Sequence, residues 1–451
     1  MGFSVYYSDP ELTTQAGFGK VARLPCIFDS RPGYHRPASR YLIDRGLGTW
    51  NPETRGKAPR ARVPGLQTMK NYAHWLANFL EWAERRGVDP LTCEYADHVQ
   101  GRYQREMATG VWSRDGAALS PATINLRVQQ ACDYLTWLGD KGLREPFDIP
   151  TETVRMHVGG GATSAVGHRA KEVTRRTGKV KQNKRRLRMP TDDEVAAWLK
   201  LVYERFGYAK GLMCETVLCT GVRLQEVASW RIDTVPEEKA NWHISNSDVP
   251  LNEQRVLVAI RYGTKGPTYG FDHDDKIGPE RSIWLPRPLA EKLFEYRRKL
   301  RNPALSKWMK SGATAAERES RRTQTVHLFL SDEGGGRIPH KDLYNAWTGV
   351  KCPYKGWSPH LGRDWWACST VWREVMRHEK ALASGGATAE QLLITVALNV
   401  IRLQVQPQLG HAHDSTSMIY LQWVADRLGI GVSIAYDAEH EAAGADVGGK
   451  S

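Results

Sequence analysis

Apolar residues first fall into register at Tyr72, Trp75, Leu76, Phe79 and Leu80. This i, i+3, i+4, i+7, i+8 spacing lines one face of a helix. The pattern starts near Thr68, and Gly87 ends it. A second helix is expected after Asp89-Pro90, running through Tyr95 and Val99 to Tyr103. Ser120 caps a third, with Pro121 at its first position, where a missing N–H costs nothing. Its buried stripe reads Ile124, Val128, Ala131, Leu135 and Leu138, and Gly139 to Gly142 close it. Residues 63–145 therefore read as a small helical domain whose aromatic stripe is core. Upstream, residues 1–62 are rich in Gly, Pro and Arg without sustained periodicity, and read as an extension.

The pattern changes downstream. Thr191 with Glu194 forms a capping box that opens a helix, and Leu212 to Cys219 is an apolar helical run ending in the Thr220-Gly221 turn. Val256 to Tyr262 and Arg281 to Leu285 read as strands flanking a long Gly/Asp-rich connection, a hairpin. Val326 to Leu330 reads as another short strand, and the chain from Asp342 to Tyr420 as mostly helical. The expected class is α+β, mostly α. The expected order is the 1–62 extension, the 63–145 helical domain, a 146–189 linker, a mixed catalytic domain over 190–436 and a 437–451 tail.

Composition agrees with several domains: 451 residues exceed one ordinary core. Hydrophobic residues make up 41% and mean hydropathy is −0.51, the balance of a soluble protein. The longest apolar patch, Leu392 to Ile401, is broken by Thr395 and Asn399. It falls short of the ~20 residues a membrane span needs. The first residues carry no basic-then-apolar leader, and the seven cysteines have no CxxC spacing, so neither a disulfide framework nor a zinc site is expected. A cytoplasmic protein is the expectation.

Net charge is +13, which points to a polyanionic partner. Much of it is concentrated between His168 and Arg188. There Arg169, Lys171, Arg175, Arg176, Lys179, Lys181, Lys184, Arg185, Arg186 and Arg188 are opposed only by Glu172. A basic tract between two folded segments suits a linker laid along DNA phosphates.

Three short motifs carry the chemistry. They are Thr220-Gly221-Val-Arg223-Leu-Gln-Glu226, Pro359-His360-Leu-Gly-Arg363, and Leu409-Gly410-His411 followed nine residues later by Tyr420. A phosphodiester under attack gains negative charge on its non-bridging oxygens, and guanidiniums match that geometry at any relevant pH. Arg223 and Arg363 are the natural pair, with His360 three residues before Arg363 on one helical face. Tyr420 is the candidate nucleophile. Glu226 is expected to orient Arg223 or His411, and His413 reads as a surface or supporting residue. The leaving 5′-oxygen needs a proton, which Lys265 in the hairpin connection is suited to give, with Lys276 its rival.

In this order, with a helical domain and a basic tract upstream, the set is similar to the active site of the tyrosine recombinase (phage integrase) family, over about residues 66–430. The resemblance implies a SAM-like helical core-binding domain and a mixed catalytic domain forming a C-shaped clamp on duplex DNA. It makes Arg223 and Arg363 the phosphate clamp, Lys265 the general acid, His360 the proton acceptor for the tyrosine, and His411 a phosphate hydrogen-bond partner. Tyr420 would form a 3′-phosphotyrosyl intermediate without metal, ATP or any cofactor. The resemblance further implies four protomers on two synapsed sites, and integration or excision of a mobile element in a bacterial or phage setting. Trp423, Val424, Leu428 and Ile430 would pack on a neighbouring protomer or within their own. Three features depart from the family pattern: Asn302–Thr325 and the segment around Ser384 read as insertions, and Asp364-Trp365 stands where a His-Thr pair is frequent. A type IB topoisomerase shares this chemistry, and a DNA-binding regulator without chemistry shares the fold.

Overall fold

The computed structural model describes residues 2–52, 63–157, 170–182, 186–264, 273, 275–382, 387–411 and 414–429. The chain divides into two compact units, Met1–Gly160 with Ala165–Lys184, and Arg185–Ser451 with Gly161–Ser164.

In the first unit, β1 (Ser4–Tyr6) pairs antiparallel with β2 (Cys26–Phe28). Helix α1 (Arg36–Leu47) follows, opened by His35, whose Nδ1 accepts from the Ala38 amide at 3.2 Å. Helix α2 (Leu66–Arg86) ends at Gly87, which adopts φ 62°. A π-helical stretch, Tyr95–Gln104, runs into Arg105–Thr109. Helix α3 (Pro121–Asp140) is capped by Ser120 as its sequence demands. Ile27, Tyr41, Leu76, Trp82, Tyr103 and Trp137 belong to one buried cluster. The N-terminal segment is therefore part of this core and not a separate extension. Its three-residue strands are too short to show a period. Buried polar pairs tie it down: Gln130 Nε2 donates to Tyr41 Oη at 2.6 Å and Trp137 Nε1 to Asp44 Oδ2 at 3.0 Å.

Part of the expected linker is a β-ribbon, with β3 (Thr151–His157) antiparallel to β4 (Ala170–Arg176). Arg176, expected on DNA phosphates, is instead buried. Its guanidinium donates to Tyr95 Oη at 2.7 Å, Gln104 Oε1 at 3.3 Å and Asn125 Oδ1 at 3.2 Å. Three neutral acceptors inside the helical unit hold this charge, so it is a strut. Arg175 is exposed and pairs with Glu152 at 2.7 Å. Lys179, Lys181, Arg186 and Arg188 are exposed, whereas Lys184 and Arg185 lie outside the described residues.

In the second unit, α4 (Asp192–Thr220) opens with the expected capping box, Thr191 N donating to Glu194 Oε2 at 2.8 Å. The short α5 (Leu224–Ala228) follows. Next come β5 (His243–Ile244), β6 (Arg255–Tyr262) and β7 (Ile277–Pro286), an antiparallel sheet in the order β5-β6-β7. Val256 faces Leu285 and Val258 faces Ile283 across the hairpin. Helix α6 (Arg287–Tyr296) leads to α7 (Asn302–Lys310) and α8 (Ala315–Gln324), which fill the expected insertion. Val326 to Leu330 makes only isolated bridges, His327 to Arg231 and Leu330 to Arg337. Leu328, Phe329 and Leu330 are all buried, so the segment threads the core without the alternation of a strand.

Next in this unit come α9 (His340–Thr348), α10 (Pro359–Leu382) and α11 (Ala387–Val400). Short helical pieces Ile401–Val405 and Gln406–Leu409 lead to the last, α12 (Asp414–Leu428). Leu392–Leu409 is long and apolar enough to cross a membrane by length and composition alone. Here Leu393, Ala397, Val400, Ile401, Val405 and Leu409 are buried in a cluster with Val371, Val375 and Val424, which marks a core segment. Val424 is buried there, Trp423 meets Trp372 edge-on at 6.1 Å, and Leu428 is partly buried against the same cluster. These residues pack within their own chain, and Ile430 lies outside the described residues.

Candidate active site

Helix α4 ends where a side chain has no room. Gly221 adopts φ 66°, and a Cβ there would lie 2.6 Å from the Trp366 ring and 2.7 Å from Leu409 Cδ2. This glycine brings the Thr220 turn against α10 and the Gln406–Leu409 segment. The next residues cap α5. The Arg223 backbone N–H donates to Glu226 Oε2 at 2.7 Å, and the Arg223 guanidinium donates to Glu226 Oε1 at 2.8 Å.

Glu226 is fully buried and anchors a second arginine. Arg281 Nη1 and Nη2 donate to its two oxygens at 2.6 and 2.8 Å. Burial alone would push this carboxyl up, but the Arg281 hydrogen bonds and charge, and then Arg223, hold it at about 2. Of the two residues that Glu226 was expected to orient, Arg223 or His411, Arg223 is the one seen hydrogen-bonded to it. Arg281 was not among the expected site residues. Its signal was present, since on an alternating strand it shares a face with the buried Ile283 and Leu285.

Arg363 lies on the first turns of α10, only 2% exposed. Its guanidinium donates to the carbonyls of Gly221 and Leu409, so one side chain ties together the backbones that carry Arg223 and His411. Burial lowers its pKa to about 10, with Arg223 nearby adding to the shift, and it remains a cation at neutral pH. Gln408 completes the joint, donating to the carbonyls of Thr220 at 3.1 Å and Trp284 at 2.9 Å and accepting from Trp284 N at 2.9 Å.

Gly410, at φ 63°, turns the chain into His411. The His411 ring lies parallel to the Tyr420 ring, centroids 6.3 Å apart at 14°, with Nδ1 2.9 Å from Ser417 Oγ. Tyr420 is 2% exposed, and its hydroxyl donates to Asp364 Oδ1 at 3.0 Å. Burial raises its pKa well above the ordinary value, Asp364 raises it further, and Arg363 opposes both. Of the expected set, Arg223, Arg363, His411 and Tyr420 are thus linked through shared backbone and ring contacts. His360 is exposed on α10 and makes no hydrogen bond among the described residues. Lys265 and His413 lie outside the described residues.

The root of the hairpin connection is well held. Asp275 is buried, with Ser229 Oγ at 2.8 Å, His327 Nε2 at 2.9 Å, Arg337 at 2.5 Å and Arg231 at 3.6 Å around it. Burial opposes its ionisation, but the His327 and Ser229 hydrogen bonds and the Arg337 charge hold it at about 2. At the other strand Gly263, at φ 75°, passes where a Cβ would sit 2.4 Å from the Gln225 carbonyl oxygen. Lys276 Nζ donates to Gln225 Oε1 at 3.4 Å, which places this lysine beside the residue two positions from Arg223.

No family model matches the sequence, and a comparison with curated proteins finds no match. The chain is similar to solved structures of the XerH site-specific recombinase bound to palindromic difH substrate in a post-cleavage complex (17% identity, 86% of this chain and 87% of that chain, TM-score 0.43). It is also similar to a lambda integrase dimer bound to a COC′ core site (14%, 80% and 91%, TM-score 0.39). A further similarity is to the Tn1549 transposon integrase in complex with circular intermediate DNA (13%, 85% and 95%, TM-score 0.42).

Proposed function

We propose that this chain is a site-specific DNA recombinase that cleaves and rejoins duplex DNA through a covalent 3′-phosphotyrosyl link at Tyr420, without metal or ATP. The observation that carries the reading is the junction made by Arg363. It joins the turn bearing Arg223 to the turn bearing His411, and His411 stacks on Tyr420. These contacts join the segments that carry Tyr420, Arg223, Arg363 and His411, and a nucleophile, two cations and an imidazole are the groups that attack on a phosphodiester uses. The link conserves the energy of the broken ester, so rejoining needs no nucleotide. Integration or excision of a mobile element, by four protomers on two sites, is the role this chemistry fits.

Nicked duplexes tiling the DNA beside the coding sequence, incubated with the chain in EDTA, should yield an SDS-resistant protein–DNA adduct. Strict dependence on Mg²⁺, with DNA binding intact without it, would refute the mechanism. Product exchange between two sites then distinguishes recombination from relaxation of one supercoiled circle.

Two subsidiary expectations follow from the placement of the basic groups. Replacing Lys179, Lys181 and Arg186 by Ala should weaken binding to all duplexes and flatten the log–log salt dependence by about 0.9 per lost phosphate contact. An unchanged slope would mean that these exposed cations do not touch DNA. For the leaving group, a 5′-bridging phosphorothiolate departs without a proton. It should therefore restore cleavage to whichever of Lys265→Ala or Lys276→Ala removed the donor. Rescue of neither places the proton donor outside this hairpin.

A further inference from the structure

We infer that Asp364 is the group that takes the proton from Tyr420 during attack, a role the sequence pattern gives to His360. The inference rests on the recombinase reading of the site. Tyr420 Oη and Asp364 Oδ1 are 3.0 Å apart, within the reach general-base transfer requires. The phenol is the donor in this pair and the carboxyl oxygen of Asp364 the acceptor. Its hydrogen already points at the group that would receive it. His360 sits one helical turn earlier on the same stripe of α10, exposed and without a hydrogen bond among the described residues.

The helix gives adjacent residues divided tasks. Arg363 reaches the carbonyls of Gly221 and Leu409, while Asp364 reaches the nucleophile on α12. A buried carboxylate is costly to desolvate, and a neutral acceptor would satisfy a phenol equally well. A base is what the carboxylate adds. As the Oη–P bond forms and the P–O5′ bond breaks, the Oη proton moves to Asp364, and the 5′-oxygen takes its proton from the hairpin lysine. Rejoining runs the same transfers backwards, with Asp364 returning its proton to the phenol.

The test is the single-turnover rate of adduct formation on a nicked duplex, drawn from the flanking DNA, that the wild-type chain cleaves. Asp364→Asn keeps an oxygen to accept from the phenol but cannot bind the proton. It should bind DNA normally and cleave about 10²–10⁴-fold more slowly, with the rate rising as pH is raised and solvent base takes over. A wild-type or faster rate would overturn the inference and make Asp364 a latch that merely restrains the tyrosine. If Asp364→Asn fails to bind DNA, Asp364→Ala with added formate decides: recovery of rate supports the base, and no recovery overturns it. A wild-type chain that forms no adduct on any of these duplexes removes the recombinase reading itself. A wild-type adduct with an unimpaired Asp364→Asn removes only the role of Asp364.

Discussion

Tyr420→Phe should abolish the covalent protein–DNA adduct while leaving DNA affinity close to wild type. The substitution deletes one oxygen, the nucleophile, from a ring that is 2% exposed and therefore offers DNA almost no contact area. Loss of the bond-forming atom leaves no alternative route to a phosphotyrosyl ester, so the effect on cleavage is complete. The structure adds a second expected consequence. The substitution removes one hydrogen bond to the Asp364 carboxyl, made at 3.0 Å, so stability should fall by about 1 kcal/mol. Adduct measured by SDS gel, affinity by gel shift and stability by urea titration check the three parts. An adduct that persists in Tyr420→Phe would move the nucleophile elsewhere.

Glu226→Gln should be the most destabilising of the conservative changes at the site. The carboxylate is fully buried and receives hydrogen bonds from both Arg223 and Arg281, with Arg363 close enough to feel its charge. A neutral amide leaves a cluster of guanidiniums without their counter-ion, at a cost of about 3–5 kcal/mol, or a Tm lower by roughly 10 °C. The change should also alter the acid limb of stability. The carboxyl is held at about 2 against an ordinary value of 4.5, so its contribution is complete above pH 4.5 and is lost as pH falls toward 2. Glu226→Gln should therefore lose more stability at pH 7 than at pH 3. Equal losses at both pH values would show that packing, and not charge, is what Glu226 supplies. Cleavage should fall as well, because Arg223 loses the anchor that fixes its guanidinium.

Local rules carried much of the chain. The helix starts at Thr191 and Ser120 and the stops at Gly87 and Gly221 are events within one turn, so nearby residues decide them. The hairpin of β6 and β7 was legible for the same reason, as two alternating runs joined by one connection. Where the reading failed, distant partners decided. The strands β1 and β2 are three residues each and are held by a core they share with α2 and α3. Arg176 looks like its neighbours in a basic tract, and only Tyr95, Gln104 and Asn125, far away in sequence, make it a buried strut.

The site divides along the same line. The sequence by itself determined which groups are available: arginines at 223 and 363, histidines at 360 and 411, a tyrosine at 420 and an excess of positive charge. Side-chain chemistry and short spacing are intrinsic to the chain. Tertiary structure alone decided how those groups are held. It put Arg281 on Glu226 from a strand 55 positions away, joined two turns through Arg363, and set Asp364 against Tyr420 across 56 positions. Hydrogen bonds between groups that far apart exist only once the intervening chain has folded, and no local pattern encodes them.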